Sequence, residues 1–484
     1  MMRFNKIKIL VGLIVMCVVA LTSNIAYAIV EQNDNKTNVK KERHIIKLKK
    51  DKKNNKQKSD TEETNKYTND VHSVFSLQDC IKIAIEYNPS IRAYVYNEQV
   101  YKSRIGQAWS NYFPQISGGI GFTGNRNNYS GNVPAPNMKY AMGYVPTVSA
   151  GMLLFDFGKT KADADYAKRM YESKQEDTKE YISDVIYSIK SAYFNILFAK
   201  AQVRVYEDTV KDYEMQLSQA EAFYNIGKKA KIDVVTAEYN LGKARLNLVS
   251  AKNTLQVAYV QLAQIMGIPE YTNYELSDEL FLNDYDESFE NLIKTAYDVR
   301  PELISIMKIV EAAKMNLRLA RRSFTPDLSA FGSYNNGIGN KYNLNSGQVG
   351  VQLNYTELNL MRVKKQVDEA KAGYSKALAD YENIKHIVYL NVKKNYMDLQ
   401  TAKESVIIAK LALDEAKEQY RQVTGRYKAG VSDAIELKDG ENTYLNARLD
   451  FYKAMLNYNV TAASLENEVG VPLVFSEKTI FDKK

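Results

Sequence analysis

Between Gly430 and Gly440 the chain reads GVSDAIELKDG, and its three acids, Asp433, Glu436 and Asp439, stand three residues apart. On a helix that spacing keeps the three carboxyls near one face. Two kinds of chemistry suit such a face. The acids can concentrate negative potential and hold cations. Alternatively, Asp433 and Glu436 fit a capping box with Asp in place of the usual Ser or Thr, and Glu436 then serves its own backbone.

Other chemistries are short of residues. His386 is the one histidine beyond position 72, which argues against histidine metal sites and Ser-His-Asp triads. No HExxH occurs, and Cys80 is the one cysteine beyond Cys17. FDFGKT at 155–160 resembles a phosphate loop, but Leu153 stands where that motif needs its first glycine. The expectation is therefore no enzyme and no cofactor.

The net charge of +8 is local. Residues 1–28 carry Arg3, Lys6 and Lys8 without acids, ahead of the apolar run ILVGLIVMCVVAL and the small-x-small site AYA. They read as a signal peptide. Residues 29–74 read as a disordered Lys/Asn-rich tether, since 31–72 hold twelve Lys/Arg against eight Asp/Glu and few apolar residues. The rest of the chain is almost neutral, so a nucleic-acid partner is not expected. No later stretch is apolar enough for a transmembrane helix.

The body is written twice. Pro89 and Pro114 are matched by Pro301 and Pro326 at an offset of 212. Later matches, AYFNILFAK with NYMDLQTAK, Gly227 with Gly430 and GIP with GVP, share an offset of 203. Constant offsets indicate duplication, with repeats at 75–270 and 289–472, a connector at 271–288 and a tail at 473–484. Each repeat predicts a helical stretch carrying an early proline (76–112; 289–323), two extended segments, a very long helix (159–225; 359–427), a glycine turn and a return helix (233–266; 434–468). A helix of that length reaches on the order of 100 Å.

These helices carry a seven-residue repeat. Ile182, Ile189, Ile196, Val203, Val210, Leu217 and Tyr224 form one seam of the first long helix, Val185, Ala192, Ala199, Tyr206, Tyr213 and Ala220 form a second, and Val392, Leu399, Val406 and Leu413 form the counterpart of the first. A sustained heptad implies left-handed coiled-coil packing. The extended segments alternate differently. VSAGMLLF places Val148, Ala150, Met152 and Leu154 on one face; VGVQLNY places Val349, Val351, Leu353 and Tyr355 opposite Gly350, Gln352 and Asn354. That pattern suits a soluble sheet on a core or a lipid-facing barrel wall. The helices look committed to their own seams, which leaves the apolar face uncovered. Four strands cannot close a barrel alone, so a barrel would be shared among chains.

The order, duplication and spacing of LQDCIKIAIEYNPSI, YFPQIS, LLFDFGK, RPELISIMKIVEAAKMNLRLARRSFTPDLS and the turns FYNIGKKAKIDVVTAEY and RYKAGVSDAIELKDGEN resemble the TolC-like outer-membrane efflux protein family over residues 75–472. The resemblance implies a mainly α fold with a small β part. Duplicated coiled-coil hairpins would form a tunnel, and four strands per chain would join one trimeric transmembrane barrel. It implies an outer-membrane channel of a tripartite efflux or type I secretion system. The homotrimer would be embedded in outer-membrane lipid and docked by a periplasmic adaptor to an inner-membrane pump or secretion ATPase.

By that resemblance the turns at Gly227 and Gly430 sit at the periplasmic entrance. Glu436 and Asp439 would then form acidic rings that favour cations. In the first repeat their counterparts are Asp233 and Thr236, so one acid is matched. Tyr427 and Asp233 supply the residue types for a closed-state latch. Ser432 stands where a second, basic latch residue is sometimes found. Lys228, Lys229 and Lys231 offer substitute charge or a solvated turn. A periplasmic adaptor and a structural coiled-coil protein of the envelope are the rival readings, but neither needs two matched pairs of amphipathic strands.

Overall fold

The computed structural model describes residues 74–484, except 126–140, 229, 269–273, 278–279, 281–283, 286, 340–342, 356–358, 430, 433 and 474–484. The expected signal peptide, the tether as far as residue 73, the tail from residue 474 and most of the loop at 125–143 lie outside the described residues; Val74, expected in the tether, is paired as a strand residue, and Leu473, expected in the tail, is buried in a core.

The element order is β1 (Val74–Phe75), α1 (Leu77–Tyr87), α2 (Pro89–Trp109), β2 (Gln115–Asn125), β3 (Ala141–Phe155), α3 (Lys159–Asn225), α4 (Lys231–Met266), β4 (Glu275–Leu276), α5 (Phe289–Val299), α6 (Pro301–Arg322), β5 (Asp327–Gly339), β6 (Asn343–Asn354), α7 (Leu360–Lys428) and α8 (Ala434–Val469). Each stretch expected as one helix with an early proline is two helices, broken at Asn88 and at Arg300. Proline forces the preceding residue into extended backbone and then suits the first position of the next helix. A two-stranded parallel sheet, β1 with β4, was not legible in the sequence.

The two breaks show the duplication at atomic detail. Asn88 caps α2 and donates from Nδ2 to Ile265 O at 2.7 Å. Arg300, its counterpart, donates from Nη1 to Glu468 O at 2.9 Å. Ile265 and Glu468 are themselves 203 residues apart. Beside them, Gly267 and Gly470 end α4 and α8 at φ of 79° and 85°. A Cβ at Gly267 would lie 2.8 Å from Tyr87 O, so positive φ and close approach both demand glycine there.

Two long helices, α3 and α7, run the length of the helical part. Next to the sheet the helices pack in the order α2, α3, α6, α7; farther away the order is α4, α3, α8, α7. Two cores lie along this layer. One gathers Cys80, Ala84, Ile189, Tyr193, Ile196 and Leu262; the other gathers Leu292, Ala296, Val392, Leu399, Tyr458 and Leu465. Most of these occupy equivalent places in the two repeats. The seam assignment needs one correction. Val203 is half-buried, whereas Val205 is fully buried. The reason is that α3 packs on α4 along one face and on α8 along another. A buried stripe through Val205 and Thr209 therefore runs beside the two heptad seams read from the sequence.

Candidate functional site: membrane wall, helical tunnel and hairpin tips

The four long strands form one antiparallel sheet in the order β2-β3-β5-β6. Directly paired residues share a face, and the register makes one face continuous across all four strands. It runs Ile116, Ile120 and Phe122 on β2; Tyr144, Pro146, Val148 and Met152 on β3; Leu328, Ala330 and Tyr334 on β5; Val349, Val351 and Leu353 on β6. This face is bare: Phe122 is 86% exposed and Val351 64%. The other face is mostly polar. Ser117 and Ser149 share a hydrogen bond at 2.7 Å, and Asn354 donates to Ser329 Oγ at 3.1 Å. Phe331 is an apolar exception on that face, and it lies against Gly350, its cross-strand partner, where a Cβ would come within 2.8 Å of the ring.

Eleven residues separate Tyr144 from Phe155 along β3. At roughly 3.3 Å per residue and a tilt of about 40°, that is roughly 28 Å of height. Phe122 and Tyr144, a cross-strand pair, mark one end of the apolar band, and exposed Phe113, Phe155, Phe157 and Tyr355 mark the other. A hydrocarbon layer bordered by aromatic belts has those proportions. The strands β2 and β6 are both open edges within one chain.

The sheet is joined to the helices by a polar clamp rather than a phosphate site. Asp156 accepts from Tyr112 OH at 2.6 Å, Gly158 N at 2.9 Å and Thr160 N at 2.5 Å. Lys159 Nζ donates to Thr325 O at 2.6 Å and to Asp327 at 2.9 Å, and Arg322 donates to Gly158 O. Phe157 and Gly158 turn the chain with φ of 56° and 84°. FDFGKT is thus the corner where strand becomes tunnel helix, which explains its resemblance to another strand–turn–helix loop.

At the far end lie the two hairpin tips. Gly227 has φ of 74°; Gly227 N donates to Tyr224 O and Lys228 N to Phe223 O, both at 2.9 Å. Those two bonds make a Schellman cap. Nothing lies within 4 Å of a Cβ at Gly227, so backbone conformation alone requires glycine there. Gly430 lies outside the described residues, but Val431 N donates to Arg426 O at 3.0 Å, the equivalent cap bond. Asp233 accepts from Ala230 N at 3.1 Å and so caps α4. Tyr427 is half-buried near the end of α7.

Glu436 stands in the first turn of α8. It accepts from Arg426 Nη1 at 2.5 Å and from the Ser432 hydroxyl. Asp433, the other half of the expected capping box, lies outside the described residues. Asp439 is exposed. The sequence reading missed Arg426. A partner ten residues back across a tip turn follows no helical spacing, so only the fold brings the two together.

The family model for outer membrane efflux proteins matches residues 80–268 and 292–471, the two repeats in turn. The chain belongs to that family. Outer membrane protein TolC of Escherichia coli (strain K12) is 24% identical over 79% of this chain and 80% of its own length. Alkaline protease secretion protein AprF of Pseudomonas aeruginosa is 21% identical over 68% of this chain and 70% of its own. Among solved structures, the Campylobacter jejuni CmeC outer membrane channel superposes with a TM-score of 0.69 at 16% identity, covering 83% of this chain and 87% of that one. The open state of the Neisseria gonorrhoeae MtrE outer membrane channel gives 0.67 at 20% identity, covering 83% and 91%. This efflux protein is therefore an outer-membrane channel for efflux or type I secretion, with its helical part in the periplasm. The bare face of its sheet is the lipid face.

One more feature of the efflux protein escaped the sequence reading. The helices at the two sides of the far layer, α4 and α7, each carry a second apolar stripe. On α4 it is Ile232, Val235, Tyr239, Leu246, Val249 and Val260; on α7 it is Ile387, Leu390, Met397, Ile408 and Leu411. All are exposed in the single chain. The signal was present as a second heptad register, Ile232, Tyr239, Leu246 and Val260 in one case and Leu390, Met397 and Leu411 in the other.

Proposed function

We propose that three copies of the chain close around one axis, making a twelve-stranded barrel over a tunnel of twelve helices. The supporting observation is that each chain leaves both sides of its layer unpartnered: strand edges β2 and β6, and apolar stripes on α4 and α7. Joining α4 of one copy to α7 of the next, and β2 to β6, removes every open edge, as hydrocarbon demands. Two copies would give eight strands, a barrel whose interior is filled by side chains. Three give a lumen. Twelve helices at about 10 Å spacing make a ring roughly 38 Å across between helix axes, hollow over roughly 28 Å.

Leu411 is 65% exposed and belongs to neither of the chain's two cores. Leu411→Asp should leave the protomer helical by circular dichroism and abolish the trimer by crosslinking, because the charge would be buried only at the interface. A normal trimer from this variant would exclude the proposed α4–α7 junction.

The hairpin tips form the inner end of this tunnel and the docking place of a periplasmic adaptor, through which an inner-membrane pump or secretion ATPase supplies substrate. Exposed Ile226, Ile232, Val431 and Ile435 at the tips, beside Lys228, Lys231 and Lys428, offer an apolar surface with a basic rim for such a partner. The conduit itself performs no covalent chemistry. Around the axis, Glu436 and Asp439 supply the acidic ring, with Tyr427 and Asp233 as the closed-state latch.

Because Arg426 offsets Glu436 within each chain, Asp439 carries most of the ring's cation preference. In planar-bilayer recordings with a polyvalent cation on the periplasmic side, Asp439→Ala should relieve block about tenfold or more. Glu436→Ala should relieve it several-fold less, and Arg426→Ala should deepen it. Block that survives in the folded Glu436/Asp439 double alanine variant would exclude the acidic ring.

A further inference from the structure

We propose that Glu441 is a proton-operated joint between the two hairpins, holding the tunnel's inner end closed when its carboxyl is neutral and loosening it when ionised. Glu441 lies on α8, two residues beyond Asp439, yet it is 4% exposed where its equivalent in the first repeat, Glu238, is exposed. Glu238 is exposed in the single chain, on a helix that the proposed trimer joins to the next copy; Glu441 is already covered because α8 crosses α3, which sets it between hairpin one and hairpin two.

The groups facing it come from three helices. From α3, Gln216 Nε2 donates to Glu441 Oε2 at 3.0 Å, the Tyr213 phenol faces the carboxyl, and Asp212 adds a like charge nearby. From α7, Tyr420 faces it and stacks on Tyr444 of α8 at 5.5 Å. On α8 itself the one nearby cation is Lys438, and Lys438 is exposed. Glu441 Oε1 has no aligned donor. The Arg448–Asp208 ion pair at 2.9 Å joins the same two helices two turns further along α8. A carboxylate here would be desolvated and close to Asp212, with only the neutral donors of Gln216 and Tyr213 and no buried cation opposite; a neutral carboxyl fits.

Burial, with Asp212 adding to it, pushes the Glu441 pKa up to about 7 from an ordinary 4.5. The sign is set by linkage. When the helices part, the carboxyl is wet and regains its ordinary pKa. The packed joint is therefore fully favoured below about 4.5, loses ground as pH rises from there to about 7, and is weakest above 7. Over that window the packed-to-parted equilibrium shifts by up to on the order of 100-fold per joint. The consequence for gating rests on the tips being the tunnel's inner end; the joint itself does not.

Two measurements test them separately. Hydrogen exchange of the purified trimer, corrected for intrinsic rate, reads residues 208–220 and 437–448 between pH 5 and pH 8. Protection in both segments should fall with rising pH in the wild type and stay level in Glu441→Gln. Glu180, also pushed up to about 7, lies at α3–α6 and is outside these segments, so it does not mimic the result. Protection independent of pH in the wild type, or an unchanged fall in Glu441→Gln, overturns the joint. The wild-type series decides the matter even where the variant fails to assemble. Single-channel open probability over the same range should rise in the wild type and stay low in Glu441→Gln. A local exchange change without that rise keeps the joint but overturns its role at the entrance.

Discussion

Val351→Arg is expected to leave the protein without an assembled barrel, while Gln352→Arg, one residue along, assembles normally. The two positions differ in nothing but face. Val351 pairs with Ala330 on the bare apolar side, and Gln352 pairs with Ser329 on the polar side. Val351 also lies inside the apolar band, four residues from Tyr355, where a charge facing lipid costs up to roughly 2–4 kcal/mol. In the proposed trimer that cost arises three times, at symmetry-related places, and would consume most of a typical folding stability. An arginine at 352 instead points into water. The assay is heat-modifiable migration of the membrane fraction: a stable trimer band for Gln352→Arg and none for Val351→Arg. Equal behaviour of the two variants would remove the lipid assignment of this face.

Leu399→Asp should be the most damaging single change in the helical part. Leu399 is fully buried on α7 in the second core, among Val392, Val406, Tyr458 and Leu465. The substitution removes a large apolar side chain and places a carboxyl among apolar ones; Lys403, one turn on, is already paired with Asp284. Cavity and desolvation together put the loss above about 4 kcal/mol, in the range reserved for buried unpaired charge. Thermal unfolding by circular dichroism should show the helical transition lost or lowered by more than about 10 °C. Exposed Glu415→Ala on the same helix should stay within about 0.5 kcal/mol of wild type. The contrast with Leu411→Asp is informative, because that residue is bare in the chain. Its substitution should separate assembly from folding, whereas Leu399→Asp loses both.

The sequence by itself determined the elements and their duplication. Proline spacing, glycine turns and heptads are local signals, and each has a one-dimensional period set by backbone geometry. Pro89 and Pro301 marked equivalent places in the two repeats, Gly227 and Gly430 marked the hairpin turns, and Val349, Val351 and Leu353 marked one apolar face by alternation alone. What the tertiary structure decided depended on which helix meets which. Val205 is buried and Val203 only half-buried because α3 packs on α8 as well as on α4, and Val205 belongs to neither of the two heptad seams that α3 carries. Arg426 meets Glu436 because a tip turn folds ten residues back on themselves. Glu441 and Glu238 are the same residue type at equivalent places in two repeats, yet within one chain the first is buried and the second exposed. Their helices read alike; only α8 crosses α3 within the chain, and burial belongs to that crossing rather than to the helix.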